Sequence, residues 1–583
     1  MPKFFITLLM LILLVIAAGY LYLTPSSQEQ EYVLMGTILT MEADQPETNA
    51  VWVKNGVIQA VGQPAIVAAE TKSLPIISLG EQVLTPGLIE PHTHPVAAAL
   101  LGATVDVSAF THNSRSEIMT TLKEAANGFA LTPWLISFGW DPVAIDDLDS
   151  PTLEELDALS SDRPIVILTQ MMHEAYLNSA AFKAAGVKII DKEDHTEGFI
   201  RDQKGKLTGT VREVAAISKI VSAAPSAPEN ASELLLRLQY KKYAKAGYTT
   251  IGVTGAVGRL TDPVASLRKI SREDISPLRT FVYLLPNQVE AHPLGGDDRF
   301  KVLGLKLWLD GSPFTGGAAF EDGYHDSELT KHRLGIPHTH RGDLNYTLND
   351  LRKIIPSYHA KGYQIALHVQ GERAIEEALT IFEEVQKTAP TPGLRHRLEH
   401  NALITADQLD RAKALNMSTG FFVDHVYFYG DALPHLIGPE RTARYMPVKT
   451  ALEKNIAVSL HGDHPATPVN AIRVMKTATQ RLSKSGKTLT AADQAITAEQ
   501  ALFAMTIGGA MQLGQQEKIG SIKKGKLADF TLFNKSPLLS LKNKSDDLLV
   551  VKTWKAGQET DVHALTWEHI KLGLSALKEI LAE

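Results

Sequence analysis

Eight short apolar runs punctuate the middle of the chain: VLTPGLIEPHTH, TTIGVTG, RTFVYLLP, GLKLWLDGS, QIALHVQG, HRLEHNALI, MSTGFFV and AVSLHGDHP. Each has the length and the β-branched or aromatic content of a strand, and most precede a stretch of helical periodicity. Strands and helices in strict alternation predict an α/β fold of the (β/α)8 barrel type. ENASELLLRLQYKKYAKAG illustrates the helices, with Asn230 or Ser232 as its cap, an apolar stripe along it and Gly247 at its end.

A different pattern, apolar and polar residues in alternation, occupies both chain ends. YVLMGTILTM and AVWVKNGVIQAVG alternate around Asn55-Gly56, a pair that favours a tight hairpin, and IGSIKKGKLADFTLF with LLVVKTWKAG repeats the pattern much later. These runs predict one small β-sandwich made from residues 31–84 and 515–560, with the barrel filling 85–514. About 150 residues separate the first two barrel strands, too many for a connection. An inserted lobe is therefore expected over about 108–232, with WLISFGW and PIVILTQMMH as strands and SAAPSAPENAS as its exit. Within 561–583, TWEHIKLGLSALKEILAE carries the stripe of a terminal helix that packs on the protein's own body, with packing on a partner as the alternative.

Residues 1–24 follow neither pattern, because Phe4 to Leu23 is almost unbroken apolar sequence between Lys3 and the polar TPSSQEQE. Such a run just spans a bilayer, whereas the apolar part of a cleaved signal is about 7–15 residues long. The segment reads as an uncleaved anchor, and Ala17-Ala18-Gly19 leaves cleavage as the alternative. Lys3 held inside places the body on the outer, periplasmic face, or secretes it after cleavage. Over the whole chain the composition is that of a soluble globular protein: 44% hydrophobic, 21% charged, net charge −7. Nothing in it recruits nucleic acid. The absence of cysteine excludes disulfides, thiolate metal sites, a cysteine nucleophile and a lipid-modified cysteine. Any metal must sit on His, Asp, Glu or a Lys-derived ligand.

Four of the eight strand runs end in His or Asp and a fifth contains Lys, which gathers ligand types where barrel active sites are built. His92-Thr93-His94 is the first. Alternation along a strand puts both imidazoles on one side and Thr93 on the other. With 20 histidines in 583 residues, about 0.7 such pairs arise by chance. A second pair, His338 and His340 in GIPHTHRGD, sits in a polar loop and reads as solvated. The first pair closes an apolar run, where a core would want aliphatic side chains. His368 and His400 each end an apolar run as well, and Asp463 follows a wholly apolar strand, where a lone buried carboxylate is costly unless it meets a cation. His396 to His400 also fits H-x-x-E-H, a zinc-peptidase pattern that needs a helix; the preceding Pro392-Gly393 and the lack of a helical stripe argue against it. Lys306 carries the wrong charge for a ligand unless carbon dioxide converts its ammonium to a carbamate, an anionic oxygen ligand able to bridge two ions.

In this order, PGLIEPHTH, GLKLWLDGS, HVQGERAI, RLEHNAL, HGDHPATP and GSIKKGKLADFTLF resemble the metal-dependent amidohydrolase superfamily, and more narrowly the amidohydrolase-3 branch that includes N-substituted formamide deformylases. The resemblance runs from about Val33 to Gly557. It implies that His92, His94, Lys306 (carbamylated), His368, His400 and Asp463 hold one or two divalent ions, and that Asp463 is also the base. FGWDP, DRPIVILTQMMHEAYLNSAAF, GFIRDQKGKLTGTVRE and HVYFYGDAL extend it into the lobe and beyond. They imply a substrate-facing, catalytic role for His173, with Trp140, Asn178 and Glu213 behind it. Glu90 stands where the family has Asp, and His464 where it has a small residue. The implied reaction is hydrolysis of a non-peptide carbon–nitrogen bond of a small molecule by metal-activated water. Zinc is the first choice for such ligands, with manganese, iron and cobalt open. Ester, lactone or cyclic-amide hydrolysis on the same site is the alternative, and an exported, non-catalytic regulatory protein is a further one. The only membrane contact expected is through the N-terminal segment; a homodimer is left open.

Overall fold

All eight apolar runs become strands of one parallel sheet. In the computed structural model, which describes residues 30–128, 132–172, 174–191, 198–212, 214–390, 393–562 and 566–582, they are β1 (Leu88–Thr93), β2 (Tyr248–Thr254), β3 (Arg279–Leu284), β4 (Phe300–Trp308), β5 (Gln364–Val369), β6 (Arg397–His400), β7 (Ser418–Phe421) and β8 (Ala457–Leu460). Each pairs with the next in chain order. Every residue of β1, β2, β3 and β5 is buried, as strands covered outside by helices and filled inside by side chains must be. Between β1 and β8 the seam is made beyond the ladder. The His94 amide donates to the His464 carbonyl at 2.9 Å, and the Gly462 amide to the Glu90 carboxylate at 3.3 Å.

The chain between β1 and β2 forms a separate six-stranded sheet that includes both expected strands, Leu135–Trp140 and Ile165–Thr169. Apolar clusters cover its two faces, one around Phe182 and Val211, the other around Trp140, Ile118 and Leu148. Trp140 is fully buried there, edge-on to Tyr176. Asn178 caps the helix Ser179–Ala184: its Oδ1 accepts from the amides of Ala181 and Ile165, and its Nδ2 donates to the carbonyls of Ser160 and Arg163. Both residues are buried within the lobe. His173, Glu213 and the apolar segment 1–24 lie outside the described residues.

The strands from the two chain ends join in one seven-stranded sheet. It curls until the Val57–Val61 strand meets residues 526–528, where the Ile58 amide donates to the Lys526 carbonyl. Both layers thus come from a single sheet, enclosing Tyr32, Leu34, Val53, Leu84, Phe530 and Trp554. The helix Glu229–Lys245 follows Pro228 and starts without a side-chain cap. Asn230 lies inside it and donates instead to Ser575 and Glu579 of the terminal helix Trp567–Ala582, which packs here through Leu572 and Ala576. Among the described residues no helix is long and apolar enough to cross a membrane.

Candidate metal centre

At the C-terminal mouth of the barrel the structure draws together His92, His94, Lys306, His368, His400 and Asp463. Alternation works on β1 as the spacing predicts: Thr93 turns outward to the hydroxyl of Tyr243 at 2.6 Å, while His92 and His94 turn inward. Their Nε2 atoms lie 3.5 and 3.3 Å from Asp463 Oδ1, and His400 Nδ1 lies 3.9 Å from Asp463 Oδ2. Lys306 on β4 brings Nζ to 3.5 Å from His92 Nε2, and the His368 ring sits 4.3 Å from that of His400.

Two of these residues stand on strained backbone. His400 has φ 74° and Asp463 φ 50°, in the left-handed region that side chains other than glycine rarely adopt. Asn401, itself at φ 54°, locks the first kink by donating to the Leu398 and Gly420 carbonyls. The kink breaks the pleat, so consecutive residues Glu399 and His400 both serve the site. Space for Glu399 depends on Gly420 of β7, where an added Cβ would lie 3.1 Å from Glu399 Oε2 and 2.9 Å from Gln512 Nε2.

The imidazoles are oriented from behind. Glu399 Oε2 accepts from His92 Nδ1 at 2.6 Å, Asp310 Oδ1 from His368 Nδ1 at 2.9 Å, and the Gly255 carbonyl from His94 Nδ1 at 3.3 Å. Each bond fixes the tautomer that leaves Nε2 as a lone pair, the arrangement histidine ligands use. Asp310 is held by the amides of Ala319, Gln370 and Gly371, and Glu399 by Arg397 Nε at 2.6 Å. Burial, and then the neighbouring Lys306 and histidines, pull His92 and His400 well below the usual imidazole range, so both are neutral. Burial pushes Asp463 up, but the neighbouring His94, His461 and Lys306 outweigh it and hold the carboxyl at about 2. The lone pair of His92 therefore faces a carboxylate with no proton between them. Asp463 Oδ1 and both nitrogens of His400 are buried without a hydrogen-bond partner. Such acceptor-to-acceptor contacts are repulsive unless a cation lies among them, a need that the Lys306 ammonium, 3.5 Å from His92 Nε2, meets only in part. A divalent ion fits this donor set, and His92, His400 and Asp463 are close enough to share one.

Against this geometry, the family model for the amidohydrolase family matches residues 76–561. The chain belongs to the amidohydrolase family. It is 24% identical to the N-substituted formamide deformylase of Arthrobacter pascens over 90% of this chain and 97% of that one. Among solved structures, uncharacterized metal-dependent hydrolases from Pyrococcus horikoshii and Pyrococcus furiosus share its fold. Their TM-scores are 0.68 and 0.67, at 21% and 22% identity, over 88% and 87% of this chain and 99% and 100% of theirs. Family membership makes the protein an amidohydrolase, an enzyme that hydrolyses carbon–nitrogen bonds.

Other sequence candidates resolve differently. His396 accepts from the Ile365 amide and bonds His359 at 2.8 Å, so H-x-x-E-H here is a strand motif, not a peptidase helix. His338 is exposed and His340 is tied to the Gly316 carbonyl. Glu90 lies beneath the site, where burial raises its carboxyl well above the usual range despite hydrogen bonds from Tyr248 and Gly462. His464 binds the Thr467 carbonyl at 2.8 Å and its ring stands edge-on to Tyr243. The sequence pattern does not single out Asp310, Glu399, His425 or His461. Asp310 closes the same apolar run as Lys306, and His461 precedes Asp463 by two, the spacing of a shared strand face; these are the signals that could find them. Glu399 and His425 lay inside quoted motifs, without a periodicity that singled them out.

Proposed function

We propose that the protein hydrolyses the amide-type bond of a small N-acyl or N-formyl amine, with Asp463 as general base. The observation that carries this reading is the neutral His92 lone pair set 3.5 Å from the ionised Asp463 carboxylate, at a barrel mouth that collects four further candidate ligands. His92, His94, His400 and Asp463 would hold a divalent ion, zinc first, with Lys306 and His368 placed to hold a second. When bound, the ion supplies Lewis-acid polarisation of the carbonyl and a lowered pKa for water. Asp463 then takes the proton of the attacking water and returns it to the departing nitrogen, base becoming acid. Lys306 enters as carbamate: burial pulls its ammonium down to about 8, which leaves about one amine in ten neutral at pH 7 and reactive toward carbon dioxide. The similarity to a formamide deformylase supports an N-acyl substrate over an ester or lactone. The Phe4–Leu23 run supports a body carried outside the membrane.

The test is amine release from a panel of N-substituted formamides and acetamides, run beside esters and lactones, with metal content measured on the same sample. Loss of turnover on chelation and its return with zinc are expected. Chelator-resistant turnover overturns the metal reading, and turnover confined to esters or lactones overturns the amide one.

A further inference from the structure

His425 adjoins this centre across Phe422, whose ring packs against it and against the rings of His461 and His400. It lies on the helix Asp424–Tyr429, which begins directly after β7, and it is almost wholly buried. Phe422, Phe314 and Tyr429 wall the ring, with centroids 4.0, 4.7 and 5.9 Å away. Three aromatic neighbours make a poor setting for a polar ring unless its nitrogens have work. Nδ1 has a partner, the hydroxyl of Tyr445 at 3.0 Å. Burial keeps that phenol protonated, and it has no other acceptor among the described residues, so it donates to Nδ1. The imidazole is thereby fixed as the Nε2–H tautomer. Among the described residues Nε2–H has no acceptor. The fields of Asp463, His461 and His368 all reach the ring, and burial holds it at about 3, so it stays neutral.

We propose that His425 contacts substrate, donating its Nε2–H to the acyl oxygen as negative charge develops there, and that Tyr445 is the positioning residue that sets its tautomer. The proposal rests on the amide-hydrolase reading. A neutral donor with a fixed proton suits this role, because it stabilises charge without competing for the proton Asp463 handles. The aromatic wall removes water from around the donor, which strengthens the bond.

The experiment uses the full chain with its metal content measured. His425→Ala should lower kcat about 100-fold with KM little changed, as loss of one such donor does, and should keep wild-type metal content. His425→Asn, whose amide also donates, should recover part of that loss, and it serves if the alanine variant misfolds. Tyr445→Phe should lower kcat by about tenfold, the scale for an outer partner. Nitrogen NMR of histidine-labelled protein should show His425 as Nε2–H across neutral pH, with the tautomers mixing in Tyr445→Phe. Wild-type kcat in a metal-replete His425→Ala protein, or an Nδ1–H tautomer, overturns the assignment of His425. Failure of the wild-type protein to release any amine overturns the functional reading instead.

Discussion

Glu399→Gln tests the architecture behind the centre most sharply, because the change is nearly isosteric and fully buried. The carboxylate has two acceptor oxygens, and both are committed. Oε2 takes His92 Nδ1 at 2.6 Å; Oε1 takes Arg397 Nε at 2.6 Å and Gln512 Nε2 at 3.2 Å. An amide offers one acceptor and one NH2, so either His92 or the Arg397 and Gln512 pair must face another donor. If the oxygen stays on His92, the buried Arg397 keeps only the Pro91 carbonyl and the face of Tyr283. Breaking a buried ion pair costs about 3–5 kcal/mol, and these two partners bring the expected loss to the lower end. If the oxygen turns to Arg397, the NH2 forces His92 to the other tautomer and its Nε2 gains a proton where the ion must bind. Losing such support costs about 10–100-fold in metal affinity, or about 1.4–2.7 kcal/mol. Urea unfolding of the metal-free protein reads the first penalty, and zinc competition with a fluorescent chelator reads the second. At least one must appear. A Glu399→Gln protein with wild-type values in both assays would refute the claim that this carboxylate fixes the His92 tautomer.

Asp463→Asn should abolish turnover and weaken zinc binding, since the amide removes both the anionic ligand and the base; kinetics with metal analysis check it, and retained turnover removes Asp463 from both roles. Carbon-13 bicarbonate with zinc should give a carbamate resonance in the wild-type protein and none in Lys306→Met; its absence from both dismisses the carbamate. Asn178→Ala deletes a helix cap and three further bonds in the lobe, and should cost about 2 kcal/mol in urea unfolding while leaving kcat intact. His396, held at about 3 by burial and then by His359, stays neutral while the unfolded imidazole takes a proton near 6.5. Its contribution is present above that pH and is lost as pH falls from about 6.5 toward 3, so His396→Asn should flatten the fall of the urea midpoint over that window.

How much of this was legible depends on what each signal encodes. All eight barrel strands could be read because a strand buried on both faces is nearly continuously apolar, and most of these runs precede a helical stretch. The curled terminal sheet could be read as strands but not as one sheet, because the joining pairs link residues hundreds of positions apart, as Ile58 to Lys526 does. The caps expected at Asn230 or Ser232 failed for a local reason. Pro228 supplies the helix entry, and the asparagine amide is better used in tying down the terminal helix.

The centre divides along a similar line. Ligand types at strand ends are visible because polar residues interrupt apolar runs, so His92, His400 and Asp463 announce themselves. The groups that orient them do not, since their meaning lies in contacts across the barrel. Glu399 is the clearest case: read along the chain it completes a zinc-peptidase motif, and read in space it belongs to His92, a residue 307 positions away. What joins the two readings is the left-handed turn at His400. Without it, neighbouring residues on a strand point to opposite faces, and one of Glu399 and His400 would be lost to the barrel exterior. The strain at His400 and Asn401 is therefore tied to function, and its expected cost of about 1–3 kcal/mol is sustained by the two carbonyls that Asn401 binds. Asn401→Ala should then behave as a site variant although it touches no ligand atom: zinc affinity falls because His92 and His400 lose register together, whereas the unfolding midpoint of the metal-free protein falls little, the released strain offsetting the lost hydrogen bonds. A large loss of metal-free stability with unchanged zinc affinity would mean that the turn serves folding alone.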